Sequence, residues 1–134
     1  MVIYLDTSAI LRAVLETGTS PAVEAKLQAA DALLTSRLSL VEASRAFHRL
    51  RLDGSGSESR LARAEEDVER LWAHCEILEL SGTVCELARS LVPRTLLRTL
   101  DALHLASFVL ARRRIEGLEL LSTDDRLLRA AELV

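Results

Sequence analysis

The sequence predicts an α/β domain in which a short parallel sheet carries helices on both faces. Three observations support this fold class. Short apolar runs rich in Val, Ile and Leu alternate with segments of helical periodicity. The length of 134 residues suits one domain, expected to span 1–134. The first apolar run, Val2–Leu5, ends at Asp6, which places an acid at the sheet edge where open α/β folds bind ligands.

The composition predicts a cytoplasmic protein with an aliphatic core. Hydrophobic residues make up 49% of the chain and aromatic residues only 3%. The cysteines Cys75 and Cys85 form neither a disulfide framework nor a zinc motif, which fits a reducing cytosol. The sequence contains no run of 18 apolar residues, so no membrane association is expected. A net charge of −3 implies that any RNA-binding track is local.

The first part of the chain predicts a strand, two helices and a second strand. Ile10, Leu11 and Val14 form the apolar stripe of the first helix. Ser20 followed by Pro21 is an N-cap and N1 signal for the second helix. The predicted bounds, in order, are 2–5, 7–16, 21–30 and 32–36.

The central part predicts a helical hairpin followed by an edge strand and a helix. Ser39 and Glu42 have capping-box spacing, which predicts a helix that begins at Ser39 and ends near Leu52. The Gly- and Ser-rich segment Asp53–Ser57 predicts a loop. The remaining elements are expected at 58–74 (helix), 76–80 (edge strand, because its residues alternate) and 83–92 (helix, ended near Pro93).

The last part predicts a buried helix, a fourth strand and a short final helix. Residues 100–111 are apolar nearly all round, as in a helix buried on most sides. Its polar exceptions Asp101, His104 and Ser107 recur every three residues, so they share one face. The fourth strand is expected at 118–121, and the final helix runs to Leu133 after the segment 122–125.

Four acidic residues stand where predicted elements meet. Asp6 and Asp124 each follow a strand, and Glu42 and Asp101 each lie in the predicted first turn of a helix. In a parallel sheet these positions share one edge, so the four carboxylates are expected to converge. The local alternative for Asp6 and Asp124 is helix N-capping.

Glu42 and Asp101 also have local explanations. Glu42 can complete a capping box with Ser39, or pair with Arg45 or Arg49 on its own helix face. Asp101 can favour the positive end of its helix, an effect of about 0.3–1 kcal/mol. Of the four acids, Asp101 is the one that a local explanation accounts for least well, because a charge in a mostly buried helix is costly without a partner.

Convergent carboxylates predict a divalent metal site. They repel one another, and Mg²⁺ or Mn²⁺ removes that conflict through hard oxygen ligands. Such a site suits phosphodiester hydrolysis by an activated water. His104 is predicted to be a hydrogen-bonded structural residue rather than a base. Four hydroxyl residues are expected to orient the acids: Thr7, Ser8, Ser122 and Thr123.

Four segments of the chain together resemble the signature segments of PIN-domain ribonucleases, in particular the VapC-type toxins of bacterial toxin–antitoxin pairs. They are Leu5–Ala9, Val41–Ala43, Leu100–Ala106 and Ser122–Asp124. The resemblance covers essentially the whole chain, and it implies a three-layer α/β/α Rossmann-like fold with a protruding helical hairpin. It also implies Mg²⁺- or Mn²⁺-dependent endonucleolytic cleavage of RNA and inhibition by a small antitoxin protein. The implied acidic site consists of Asp6, Glu42, Asp101 and Asp124.

The resemblance has further implications for partners. The hairpin around 53–57 corresponds to a segment used for homodimer and antitoxin contacts, and Arg94 and Arg98 are candidates to hold RNA phosphate. Asp125 aligns one position past the motif acid. In relatives the final helix usually leads to a last strand, commonly after a glycine, and this sequence reaches Val134 without one. The acidic set is not expected to depend on that strand.

Two other functional hypotheses stay open at this point. A catalytically weak protein-binding module on a PIN scaffold would have the same fold. An aspartate phosphotransfer domain would also end its first strand in Asp6. However, Ser8 stands where the phosphatase pattern needs an acid, and Lys26 is the only lysine, far from the late position that a receiver domain needs.

Overall fold

The computed structural model describes residues 1–16, 20–91 and 97–134. Over these ranges the chain forms four strands and seven helices. The strands are β1 (Val2–Leu5), β2 (Ala32–Ser36), β3 (Cys75–Leu78) and β4 (Glu119–Leu121). The helices are α1 (Thr7–Leu15), α2 (Pro21–Ala29), α3 (Arg37–Leu52), α4 (Glu58–His74), α5 (Gly82–Ala88), α6 (Thr99–Arg112) and α7 (Asp125–Glu132).

The four strands form one parallel sheet in the order β3-β2-β1-β4. The chain builds β1, β2 and β3 outward in one direction and then returns to place β4 on the other side of β1. This reversal between β1 and β4 is the topological switch point at which open α/β folds bind ligands. Leu5 pairs with Leu121, so Asp6 and Ser122 leave the sheet side by side.

Helices cover both faces of the sheet, which confirms the predicted three-layer α/β/α architecture. Side chains alternate along β1, so Ile3 and Leu5 face one core and Tyr4 faces the other. The first core contains Phe47 of α3 and Leu61 of α4, among others. The second core contains residues of α6 and α7: Leu105, Phe108, Val109, Leu127, Ala130 and Ala131.

The predicted start of α3 is wrong. The helix begins at Arg37, and its N-cap is Ser36, whose Oγ accepts a hydrogen bond from the Leu38 N–H. Ser39 is fully buried inside the first turn, where its hydroxyl lies 2.7 Å from Thr35 Oγ1. Glu42 therefore lies in the second turn and completes no capping box. Both serines are competent caps, and the end of β2 selects the earlier one.

Other boundaries shift by a few residues. The edge strand β3 ends at Leu78, and α5 begins at Gly82 because Ser81 Oγ accepts from the Val84 N–H. The predicted end of this helix near Pro93 is wrong, because the helix stops at Ala88 with Arg89 as its C-cap. Pro93 itself lies outside the described residues, as does the predicted break at Gly18. The loop at 53–57 connects α3 to α4 as predicted. Gly54 and Gly56 there adopt φ values of 65° and 95°, which favour glycine.

Arg51 fastens the two helices of the hairpin to each other. Its guanidinium lies 3.0 Å from Glu58 Oε1, at the start of α4, and also pairs with Glu65 farther along the same helix. These are ion pairs at the surface, where each contributes little on its own. A shared arginine nevertheless fixes the relative position of the two helix ends.

None of the helices in the described ranges has the length and apolar content needed to cross a membrane.

Candidate active site

Asp6 is a buried carboxylate with several hydrogen-bond donors at the carboxyl end of β1. It is 5% exposed and caps α1, because its Oδ1 accepts from the Ala9 N–H at 3.0 Å. The Ser8 hydroxyl donates to the same oxygen at 2.7 Å, and the Ser122 hydroxyl donates to Oδ2 at 2.5 Å. The N-cap interpretation is therefore correct as geometry. It is incomplete, because a cap needs neither the burial nor the second hydroxyl.

The segment after β4 is tied to the same carboxylate. The Thr123 N–H donates to Ser8 Oγ and the Asp124 N–H donates to Ser122 Oγ, both at 3.0 Å. Asp124 caps α7 by accepting from the Arg126 N–H at 2.9 Å, as its alternative interpretation predicted. Because these hydroxyls link Asp6 to the strand end that carries Asp124, the two acids share one edge of the sheet.

Glu42 is held from two sides by residues of other elements. Its Oε1 accepts from the Thr7 hydroxyl at 2.7 Å and lies 2.6 Å from His104 Nε2. His104 is buried, and its Nδ1 lies 3.0 Å from the Tyr4 hydroxyl. If Tyr4 donates to Nδ1, then Nε2 carries the proton that is donated to Glu42. The described contacts thus give Glu42 long-range partners instead of Arg45 or Arg49.

These partners keep Glu42 ionised. Burial opposes the charged form, but the hydrogen bonds from His104 and Thr7 outweigh it, so the pKa of Glu42 lies below its ordinary value. The charge of Arg49 acts in the same direction. Across the same network, burial raises the pKa of the Tyr4 hydroxyl, which therefore remains a protonated donor near neutral pH.

Asp101 lies in the first turn of α6, as predicted, and faces a groove shared with Glu42. Its side chain is 21% exposed, and Arg98 Nε lies 3.6 Å from its Oδ2. The groove has a volume of about 640 Å³ and runs between the first turns of α6 and one face of α3. Asp101 and Glu42 therefore open onto the same groove, whose described lining includes neither Asp6 nor Asp124.

The predicted convergence of all four acids into one metal-binding group is not seen in the described residues. In residues 1–16, 20–91 and 97–134, no three His, Cys, Asp or Glu side chains are grouped closely enough to hold an ion by themselves. The donor type nevertheless suits Mg²⁺, which is usually bound through one or two carboxylates plus waters and substrate phosphates. Carboxylate oxygens from Glu42 and Asp101 in one open groove match that mode of binding.

The prediction that His104 is a hydrogen-bonded structural residue is confirmed, but its partners Glu42 and Tyr4 were not predicted. The pairing of His104 with Glu42 spans 62 positions, so no local pattern reveals it. Tyr4 gave a weak signal as the only tyrosine of the chain, placed in an otherwise apolar strand. Arg94 lies in the part of the chain that is not described. Arg98 is beside Asp101, where its charge reaches the site.

The Thr7 hydroxyl allows a test of how much the Glu42 contacts stabilise the fold. Thr7→Val keeps the shape of the side chain and removes the donor, and it is expected to lower the free energy of unfolding by about 1–2 kcal/mol. Thr7→Ser keeps the hydroxyl and is expected to lose less than half as much. Urea denaturation monitored by circular dichroism measures both values. No loss in Thr7→Val, or a larger loss in Thr7→Ser, would show that the methyl group, not the hydrogen bond, matters here.

Sequence comparison identifies one domain family and relatives that are named ribonucleases. The sequence model of the PIN domain family matches residues 3–133. The chain is 40% identical over 106 residues to Ribonuclease VapC49 of Mycobacterium tuberculosis, covering 78% of this chain and 73% of that protein. It is 34% identical over 130 residues to Ribonuclease VapC46 of the same organism, covering 97% of this chain and 90% of that protein.

Solved structures share the fold at lower identity. Mycobacterium tuberculosis VapC20, described as a sarcin-ricin loop cleaving toxin, superimposes with a TM-score of 0.66 at 17% identity, covering 96% of this chain and 94% of that one. VapBC2 from Rickettsia felis, bound to a DNA fragment from its promoter, superimposes with a TM-score of 0.63 at 15% identity. The match covers 92% of this chain and 100% of that one. Profile, relatives and fold agree with the four signature segments, and the chain therefore belongs to the PIN-domain family.

Proposed function

We propose that this protein is a divalent-metal-dependent endoribonuclease toxin that is neutralised by a cognate antitoxin. Its site would hydrolyse RNA phosphodiester bonds at Asp6, Glu42, Asp101 and Asp124. The observation that carries the proposal is the buried, doubly hydroxyl-bound Asp6 at the switch point of the sheet, beside a groove that holds Glu42 and Asp101. The VapC ribonuclease relatives support the same activity.

The residues of the site have two kinds of task in this proposal: the acids would hold the metal, and their neighbours orient the acids. Asp6, Glu42, Asp101 and Asp124 would hold Mg²⁺ or Mn²⁺, which when bound supplies an activated water and stabilises charge on the phosphate. Ser8 and Ser122 fix the orientation of Asp6. Thr7 and His104 do the same for Glu42. Both bind its Oε1, which fixes the orientation of the carboxylate and so the direction of Oε2. The Thr123 N–H supports Ser8 in turn.

The proposed partners are RNA, a small antitoxin protein and a second copy of the chain. The similar structure from Rickettsia felis is that of VapBC2, and the resemblance to VapC-type toxins extends a toxin–antitoxin partnership to this chain. The hairpin formed by α3 and α4 is the proposed surface for dimer and antitoxin contacts. RNA would enter beside Arg98, whose side chain is 76% exposed.

Metal removal gives a direct test. Purified protein, free of any antitoxin, is incubated with total RNA in Mg²⁺, in EDTA, and in EDTA followed by excess Mn²⁺, and new RNA ends are mapped. We expect discrete cleavage sites with Mg²⁺, none with EDTA, and their return with Mn²⁺. The proposed reaction depends on a metal-activated water, so removal of the metal should stop it and restoration of a metal should restart it.

Three results would contradict the proposal. Cleavage that persists in EDTA at the same positions would mean that the reaction does not depend on a divalent metal. Absence of cleavage in every condition, together with no Mn²⁺ binding by isothermal titration calorimetry, would favour a protein-binding module on the PIN scaffold. Preserved Mn²⁺ binding without cleavage of total RNA would contradict the RNA substrate while leaving the metal site in place.

A further inference from the structure

The groove beside Asp101 has a wall lined by arginines that make no direct contact with the acids in the described part of the chain. The wall is one face of α3, on which Arg45 and Arg49 follow Glu42 at intervals of three and four residues. Residues at these intervals lie one above another on a helix. Seven residues of helix rise about 10 Å, so the stripe leads from the acid site outward over two turns.

These two arginines are available to a ligand. Both are exposed, and among the described residues neither has a carboxylate within ion-pair distance. Elsewhere on the surface, Arg37, Arg51 and Arg70 each pair with a glutamate or aspartate. Arg45 and Arg49 differ from other arginines without an ion pair because they line the groove that contains Glu42 and Asp101. This position on the groove wall indicates an external anion as their partner.

The charge of the groove favours a polyanion. Arg45, Arg49 and Arg98 carry three positive charges against the two of Glu42 and Asp101, so the groove is locally cationic. The whole chain, in contrast, has a net charge of −3. The groove that contains two of the acids therefore offers the local cationic track that an acidic nuclease needs.

We propose that Arg45 and Arg49 bind phosphates of a single-stranded RNA segment that leaves the acid site along α3. Guanidinium groups match phosphate geometry with two parallel hydrogen bonds. The proposal rests on the function proposed above, because it takes the scissile phosphate to lie at the acids.

The apolar residues of the groove refine the kind of contact. Val41 and Leu100, 57% and 45% exposed, stand at its mouth and offer surface to unstacked sugars and bases. No aromatic side chain lines the groove within the described ranges, so stacking does not select a base there. Binding through Arg45 and Arg49 is therefore sequence-tolerant and dominated by phosphate contacts, which makes it steeply dependent on salt.

The test measures binding separately from cleavage. In an Asp6→Asn background, Arg45→Gln and Arg49→Gln are combined, and the affinity for a fluorescein-labelled single-stranded RNA of mixed sequence is followed by anisotropy across a KCl series. Each lost phosphate contact removes about 0.7 from the slope of log affinity against log salt, so we expect a decrease of about 1.4. At low salt the affinity should fall roughly tenfold or more.

A matched control carries the same change in net charge. Arg113 and Arg114 are an exposed pair directly after α6, and they line a different cavity. The double variant Arg113→Gln and Arg114→Gln should change the slope by less than half as much. An unchanged slope in the Arg45 and Arg49 variant, or an equal change in the control, would overturn the proposal.

Two further arms separate the possible sources of failure. If a polyglutamate peptide displaces the RNA as well as unlabelled RNA of equal charge does, the groove binds acidic protein and the RNA proposal is overturned. In the protein with Asp6 intact, loss of Arg45 and Arg49 should raise KM with little change in kcat. Cleavage with an unchanged KM would refute this inference alone. Failure of the unaltered protein to cleave would refute the proposed function, and the binding measurement would then decide whether the groove binds RNA.

Discussion

Asp6→Asn is expected to lower the rate of metal-dependent RNA cleavage by about 10³-fold or more, while the protein stays folded. Loss of an outer-shell partner of a metal ligand typically costs 10- to 100-fold, so loss of the ligand itself should exceed that. A factor of 10³ corresponds to about 4 kcal/mol of transition-state stabilisation. The measurement is the initial rate of cleavage of a fixed RNA in Mg²⁺, together with the melting temperature of the variant.

The fold should tolerate this change for local reasons. Asparagine is as good an N-cap as aspartate, so its side-chain oxygen can still accept from the Ala9 N–H. In the unaltered protein the hydroxyl of Ser122 donates to Asp6 Oδ2. In the variant the same hydroxyl can accept a hydrogen bond from the asparagine amide instead. Removal of the charge therefore acts on catalysis far more than on stability.

Asp125→Asn is the matched control for the loss of one negative charge at this sheet edge. Asp125 is exposed in the first turn of α7, next to Asp124, and has no proposed role. We expect its cleavage rate to remain within about twofold of the unaltered protein, because exposed substitutions perturb little. Asp101→Asn should resemble Asp6→Asn. Full activity in both Asp6→Asn and Asp101→Asn would refute the assignment of the acidic site.

Much of the fold could be predicted from local sequence signals. The strand Val2–Leu5 and the helix that contains Leu105 are apolar enough that burial decides their structure, and the alternation of elements implies a parallel sheet. The position of Asp6 at the end of a buried strand then fixes its place at the sheet edge. Sequence reasoning succeeds here because these features depend on neighbours in the chain.

The start of α3 and the partners of Glu42 could not be predicted in the same way. Ser36 and Ser39 are equally competent caps, and the choice between them depends on where β2 stops pairing with its neighbours. The hydrogen bonds that His104 and Thr7 make to Glu42 join three separate elements. Such contacts follow from packing, so a sequence pattern can nominate the residues but cannot pair them.

Leu105→Ala is expected to lower the free energy of unfolding by about 2–5 kcal/mol, the largest stability effect that we predict. Leu105 is fully buried between α6 and the sheet, in the core that contains Tyr4 and Leu34. Truncation removes the transfer free energy of its methyl groups and leaves a cavity, because the sheet is rigid and cannot collapse onto α6. Set against a typical total of about 5–15 kcal/mol, the loss is large enough to shift the urea midpoint clearly.

Leu52→Ala makes the same chemical change at a site that is 87% exposed, at the end of α3, and should cost less than about 0.5 kcal/mol. The difference between the two urea midpoints isolates burial from side-chain chemistry. α6 also carries Asp101 and His104, so unfolding of this helix should abolish cleavage. At temperatures where circular dichroism shows Leu105→Ala folded, we expect the variant to keep its cleavage activity. Activity lost while the variant is still folded would mean instead that packing at Leu105 sets the position of the acids.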